Sequence, residues 1–192
     1  MPDKAQLIMD AAMQLAEEGG FEAVRLRDVA GRAGVALGTL YARFRSKEDI
    51  LIAVLDQGAA QLEEQVSAAP LGGPTPNERL KVYFEIVTRQ MLSRPHFTRA
   101  LLRAVSAGTP ESAARVARYQ GRLNNLIVGA MVGGADRGSA GDAARNDEIA
   151  FLLQQVWFAA LVGWMSGIRS GEDVVRQMNT AVDIVLRGAG PT

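Results

Sequence analysis

Between Phe21 and Leu51 the chain reads FEAVRLRDVAGRAGVALGTLYARFRSKEDIL, and no other segment constrains the fold as strongly. Two short helical patterns flank Ala30-Gly31-Arg32-Ala33-Gly34-Val35. In a helix-turn-helix, a small residue in the first helix lets the second cross closely, and a Gly in the turn accepts positive φ. Ala30 and Gly34 stand in those two roles. Leu26, Val29, Val35, Leu40 and Phe44 supply an apolar side that locks the two helices together. Leu37, Gly38, Thr39, Tyr41, Ala42 and Arg43 remain for the outer face of the second helix. A helix with such a face can lie in a major groove about 12 Å wide, its N-terminal end toward the base edges.

The charge distribution agrees with this reading once it is taken segment by segment. The whole chain is neutral, with 21 Lys+Arg against 21 Asp+Glu, and that average hides a division. From Arg25 to Lys47 there are six cations (Arg25, Arg27, Arg32, Arg43, Arg45, Lys47) and one acid, Asp28. Before Arg25 there are five acids and one cation, Lys4. Phosphate contacts need cations, hydroxyls and helix N-termini at the nucleic-acid face, and they do not need a basic chain.

The segment resembles the DNA-binding domain of the TetR/AcrR family of one-component bacterial repressors. The matching residues are Gly20-Phe21, Arg27-Asp28-Val29-Ala30, Ala33-Gly34-Val35, Gly38-Thr39-Leu40-Tyr41, Phe44 and Ser46-Lys47-Glu48-Asp49. The resemblance implies that Thr39 and Tyr41 contact DNA backbone or base edges and that Lys47, opening the fourth helix, holds a phosphate. It also implies that Arg43 reaches a phosphate or a guanine edge. The sequence departs from the family pattern at several positions. Arg25 stands where a Thr usually caps the second helix, and Ala36 where a Ser usually caps the recognition helix. Leu37 and Ala42 replace positions that are often polar, so hydrogen-bonded readout of bases should be sparse and thymine-methyl or shape readout more important.

The rest of the chain is punctuated as helices, without sustained period-2 alternation. The expected helices are 3–18, 25–32, 36–43, 46–68, 76–93, 95–106, 110–132, 145–169 and 171–187. Thr75-Pro76-Asn77-Glu78, Ser46-Lys47-Glu48-Asp49, Thr109-Pro110-Glu111 and Ser170-Gly171-Glu172-Asp173 are helix starts. The Gly/Ala/Asp-rich stretch 133–145 is the expected flexible loop. The expected fold is therefore all-α with nine helices. A three-helix, helix-turn-helix DNA-binding domain over 1–48 precedes a helical effector-binding and dimerisation domain over 49–192.

A single helix-turn-helix reads one half-site, and two copies in fixed geometry read a palindrome, so a homodimer is expected. The twenty residues Ile149–Ile168 carry no charge, which is long enough to span a bilayer, but Gln154-Gln155 and Ser166 favour a helix buried in a protein assembly. Trp157, Leu161, Trp164 and Met165 there, with Val174, Met178, Val182 and Val185 on the last helix, are the candidate dimer interface. Two such helices from each subunit would make a four-helix interface, which is also how the family dimerises; the competing reading of these residues is intramolecular core, and several are expected to be both.

An effector pocket is expected between the middle helices. Its candidates are Tyr83, Val87 and Met91, with Phe84; then Phe97 and Leu101. They continue with Tyr119, Leu123 and Ile127, with Met131, and end with Phe151, Gln155 and Phe158. The competing reading of aromatic and Met stripes at this spacing is plain core. Asn124 and Asn125 are either a polar handle in a cavity or part of the solvent face. The lining is mostly apolar, so a small apolar effector is expected. Arg94-Pro95-His96-Phe97 followed by Arg99-Ala100-Leu101-Leu102-Arg103, and Trp157 to Trp164, resemble the actinobacterial regulators of sterol and lipid catabolism within the family. That resemblance points toward a lipid-like, sterol-derived or acyl-CoA effector.

Other function classes find little support. With no Cys and one His, His96 after a Pro, no catalytic residue, metal site or cofactor is expected. Gly133-Gly134-Ala135 and Gly138-Ser139-Ala140-Gly141 follow no strand, so they are not read as a phosphate cradle. The N-terminus lacks a signal-peptide pattern, and a cytoplasmic location without membrane attachment is expected. The alternative is a helical partner-binding or membrane-associated protein that does not bind DNA.

Overall fold

The computed structural model describes residues 3–68, 71–110, 112–133 and 140–188. Among these there are nine α-helices and no strand: α1 Lys4–Ala23, α2 Leu26–Arg32, α3 Leu37–Tyr41, α4 Lys47–Ala68, α5 Pro76–Leu92, α6 Pro95–Ser106, α7 Ala113–Val132, α8 Ala140–Met165 and α9 Gly171–Gly188.

The helix ends follow the local signals. Asp3 caps α1, its carboxylate accepting from the Ala5 N–H at 3.1 Å. Helical dihedrals are interrupted at Gly19 (φ −143°) and Gly20 (φ 68°), where the sequence placed the end of the helix, and one further turn runs to Ala23. Reciprocal capping boxes open α5 and α9. Glu78 accepts from the Thr75 N–H at 3.1 Å while the Glu78 N–H donates to Thr75 Oγ1 at 3.3 Å. Asp173 and Ser170 repeat the arrangement at 2.9 and 3.1 Å. α7 begins at Ala113 rather than at the expected Pro110, and both ends of α8 also differ from expectation. α8 begins at Ala140, so the last part of the expected loop 133–145 is helical; residues 134–139 lie outside the described residues. It ends at Met165 because Gly167 turns left-handed (φ 73°). There the Ile168 N–H donates to Gly163 O and the Gly167 N–H to Trp164 O, both at 3.0 Å.

The chain divides into two compact units. One comprises Met1–Ala60 with Ser93–Gln120, the other Gln61–Leu92 with Gly121–Thr192. This differs from the linear split expected after residue 48. α6 has an apolar face at Phe97, Ala100, Leu101 and Ala104, the i, i+3, i+4, i+7 spacing of a helix that buries one side. It packs on the matching face of α1, made by Ile8, Ala11, Ala12 and Leu15. Val29, Ala30, Leu40, Phe44, Ile50, Leu51 and Ile52 complete that core.

In the second unit, α9 packs against both α5 and α8. Tyr83, Phe84 and Val87 of α5, Leu123, Ile127 and Met131 of α7, Leu153, Trp157 and Leu161 of α8, and Val174, Met178 and Val182 of α9 are buried. Phe84 lies 6.0 Å from the Trp157 ring and 5.1 Å from that of Tyr83, the latter edge-on. The Arg79 guanidinium closes the C-terminal end of α7, donating to Ala130 O at 2.9 Å and to Met131 O at 2.6 Å. By length and composition α8 could cross a membrane, but its Ala150, Leu153, Trp157, Ala160 and Leu161 are buried against the rest of this unit.

Candidate DNA-binding site

The turn between α2 and α3 is set by glycine. Gly34 has φ 64°; its N–H donates to Gly31 O at 3.2 Å, and the Val35 N–H donates to Ala30 O at 3.0 Å. This pair of bonds ends α2 and redirects the chain within three residues. Ala30 is buried at the crossing, where the sequence required a small side chain. Neither Arg25 before α2 nor Ala36 before α3 makes a side-chain cap, so both short helices depend on packing. Leu40 supplies it from the inner face of α3 and Phe44 from the turn that follows it.

The outer face is partly as expected. Gly38, Tyr41, Ala42 and Arg43 are exposed, Tyr41 by 53%. Thr39 is half-buried, and Leu37 packs partly against the core. Arg25 and Arg27 are exposed on and beside the start of α2.

The acids of α1 return to the cations of the motif. Glu18 takes Arg32 in a two-pronged pair at 2.6 and 2.9 Å, which holds its carboxyl below the usual range. Asp3 lies 3.8 Å from Arg43. Lys47 Nζ donates to Phe21 O at 3.2 Å, stands 3.5 Å from Glu22 and sits 3.8 Å above the Phe21 ring. Among the described residues Arg25, Arg27 and Arg45 have no ion pair, and they stay open to an anion. Behind the motif, Asp49 is buried. It accepts from the Arg45 N–H at 3.1 Å and pairs with Arg115, whose guanidinium lies 5.2 Å over the Phe44 ring. Asp49 thus fixes the turn into α4. The sequence reading missed Arg115, Glu22 and Arg103 because their partners lie tens of residues away.

The effector candidates do not form one set. Tyr83, Val87, Leu123 and Ile127 are buried in the second unit, and Met91 and Phe158 are half-buried there. Phe97 and Leu101 belong to the core of the other unit, and Tyr119 is half-buried in that unit. Phe151 is 56% exposed and Gln155 is exposed, so neither lines a cavity. The helical period turns Ala150, Leu153 and Trp157 inward and leaves Phe151 and Gln155 on the other side. Asn124 donates to Asp147 at 2.9 Å, and Asn125 is exposed.

The dimer candidates divide between the core of this chain and its half-buried margin. Trp157, Leu161, Val174, Met178 and Val182 are buried within the single chain, and Trp157 Nε1 donates to Thr88 Oγ1 at 2.9 Å. Trp164, Met165 and Val185 are half-buried. The apolar residues these helices leave outside are Phe151, Leu152 and Ile184. Between α8 and α9 runs an open groove of about 440 Å³, walled by Val156, Gln177, Thr180, Ala181 and Ile184 and by the charged Arg169, Asp173 and Arg176.

Comparison with known proteins agrees with this architecture. The model for "Bacterial regulatory proteins, tetR family" matches residues 8–54, and that for "Tetracyclin repressor-like, C-terminal domain" matches residues 73–185. The "HTH-type transcriptional repressor KstR" of Rhodococcus jostii is 32% identical, over 96% of this chain and 83% of its own length. The protein of the same name from Mycobacterium tuberculosis is 29% identical, over 96% of this chain and 81% of its own length. A TetR transcriptional regulator from Rhodococcus sp. RHA1 shares the fold, with a TM-score of 0.81 at 24% identity over 98% of this chain and 97% of that one. The glycine-turned helix pair, the helical C-terminal unit and these matches together place this chain in the tetR family of bacterial transcriptional regulators.

Proposed function

We propose that the protein is a cytoplasmic repressor that binds a palindromic operator in double-stranded DNA as a homodimer, and that a small apolar effector releases it, without catalysis. The observation that carries this reading is the recognition helix. Leu40 of that helix and Phe44 just after it are buried, while Gly38, Tyr41, Ala42 and Arg43 are exposed, and Arg25 and Arg27 at the start of the preceding helix have no ion pair among the described residues. Thr39 and Tyr41 contact backbone or base edges, and Arg43 and Lys47 hold phosphates. Leu37 and Ala42 offer apolar contact to thymine methyls.

The second copy docks on the outer face of α8 and α9, against Leu152, Val156, Ala181 and Ile184. Effector binding in the second unit, near Tyr83, Val87, Leu123 and Ile127, shifts the dimer toward a spacing that no longer fits half-sites about 34–36 Å apart. A lipid-like, sterol-derived or acyl-CoA effector suits that apolar lining. A "Fatty acid metabolism regulator protein" of Bacillus subtilis, 35% identical over 77 residues, is among the relatives.

Gel-shift on the DNA upstream of its own gene, with Tyr41→Ala and Lys47→Ala, tests the DNA reading. Both variants should bind more weakly, and unchanged binding in both would remove the recognition-helix assignment. The effector reading is tested by the melting temperature across a panel of fatty acids, sterol derivatives and acyl-CoA thioesters. A raised melting temperature that coincides with loss of the shift is expected.

A further inference from the structure

Phe21 and Glu22 form the turn that follows the Gly19-Gly20 interruption of α1, and two cations converge on them. Lys47 comes from the first turn of α4 and Arg103 from the last turn of α6. Each cation stands over the Phe21 ring, Lys47 Nζ at 3.8 Å and the Arg103 guanidinium at 4.6 Å from its centre. Each also takes one oxygen of Glu22, Lys47 at 3.5 Å and Arg103 at 2.8 Å. The Lys47 side chain is only 24% exposed, whereas that of Glu22 is 69% exposed.

An ammonium has three donors. One goes to Phe21 O, and the Glu22 carboxylate stands 3.5 Å from the same nitrogen as an ion pair. A carboxylate and a phosphate make the same demand on that ammonium, a charged acceptor at hydrogen-bond distance. We propose that Glu22 is an internal counter-anion that competes with DNA phosphate for Lys47, with Arg103 holding it in place, and that it thereby sets the strength of operator binding. The inference rests on the reading of Lys47 as a phosphate contact. Its consequence is unusual for a surface acid: neutralising it strengthens function. Every phosphate bound at Lys47 must first displace or share Glu22, and the isosteric amide of Gln removes that cost. Damage to the fold would act in the other direction.

The test uses the full-length protein and a fluorescein-labelled duplex that the wild type selects from a random library, with fluorescence anisotropy as the readout. Glu22→Gln should tighten binding about two- to five-fold per subunit, the range for one exposed ion pair. The gain should shrink as salt rises, because an exposed pair is screened. In a Lys47→Gln background, measured at salt low enough for binding to persist, the same substitution should change nothing. Unchanged or weaker binding by Glu22→Gln overturns the proposal. An equal gain with and without Lys47 also overturns it, since Glu22 would then act only as a distant charge. If Lys47→Gln alone binds as tightly as the wild type, the phosphate reading of Lys47 fails instead, and the proposal falls with it.

Discussion

Thr88 and Trp157 offer a test of how the second unit is held together. The indole N–H donates to the Thr88 hydroxyl at 2.9 Å, and both residues are buried. Thr88→Val keeps the side-chain shape and opens no cavity, but it leaves Trp157 Nε1 without its acceptor where water does not reach. An orphaned buried donor costs about 1–3 kcal/mol. In a chain of this length 1 kcal/mol moves the melting temperature by about 2–4 °C. The variant should therefore melt roughly 2–12 °C lower. Trp157→Phe removes the donor together with packed ring atoms, so it is destabilising by itself. The informative quantity is the effect of Thr88→Val in the Trp157→Phe background. There is no donor left to orphan, and the second substitution should be close to neutral. The coupling energy of the cycle should therefore be about 1–3 kcal/mol. Urea unfolding followed by circular dichroism measures it, at one fixed protein concentration because dimerisation contributes to stability. Equal costs of Thr88→Val in both backgrounds, or a Thr88→Val protein as stable as the wild type, would refute the argument.

Gly34→Ala should cost about 1–2 kcal/mol, because φ 64° is strained for an L-residue although the space around a Cβ there is open; Gly34→Asn should cost less, and thermal melts of the two variants compare them. Ile184 is 59% exposed and Met178 is fully buried on the same helix. Ile184→Glu should weaken self-association about tenfold or more in sedimentation with the fold intact, whereas Met178→Glu should unfold the unit. A monomer–dimer equilibrium unmoved by Ile184→Glu would place the interface elsewhere. Asp183 is held below the usual carboxylate range, first by Lys81 at 2.7 Å and then by Asn77 at 2.8 Å. A carboxylate whose pKa falls on folding contributes stability at neutral pH and loses it as pH drops from the ordinary carboxylate range through the lowered value. Asp183→Asn should therefore flatten the acid limb of the stability–pH curve, and an unaltered acid limb would contradict this.

The features legible in the sequence were those fixed by neighbours along the chain. The glycine turn at Gly34, the small residue at Ala30 and the caps at Thr75 and Ser170 all depend on residues within about two helical turns, and the structure reproduces them. The rotational setting of α8 was not legible. Its uncharged run offers apolar side chains in every direction, so no stripe marks the inward face. Only packing against α5 and α9 put Trp157 and Leu161 inside and left Phe151 and Leu152 outside. The same holds for the charges. The sequence by itself determined an all-helical chain with a neutral total and a basic helix-turn-helix. Tertiary structure decided which cations stay open to an anion, because Lys47 meets Phe21 across 26 residues and Asp49 meets Arg115 across 66. Such pairs are chosen by how helices pack, and one-dimensional spacing carries no record of it.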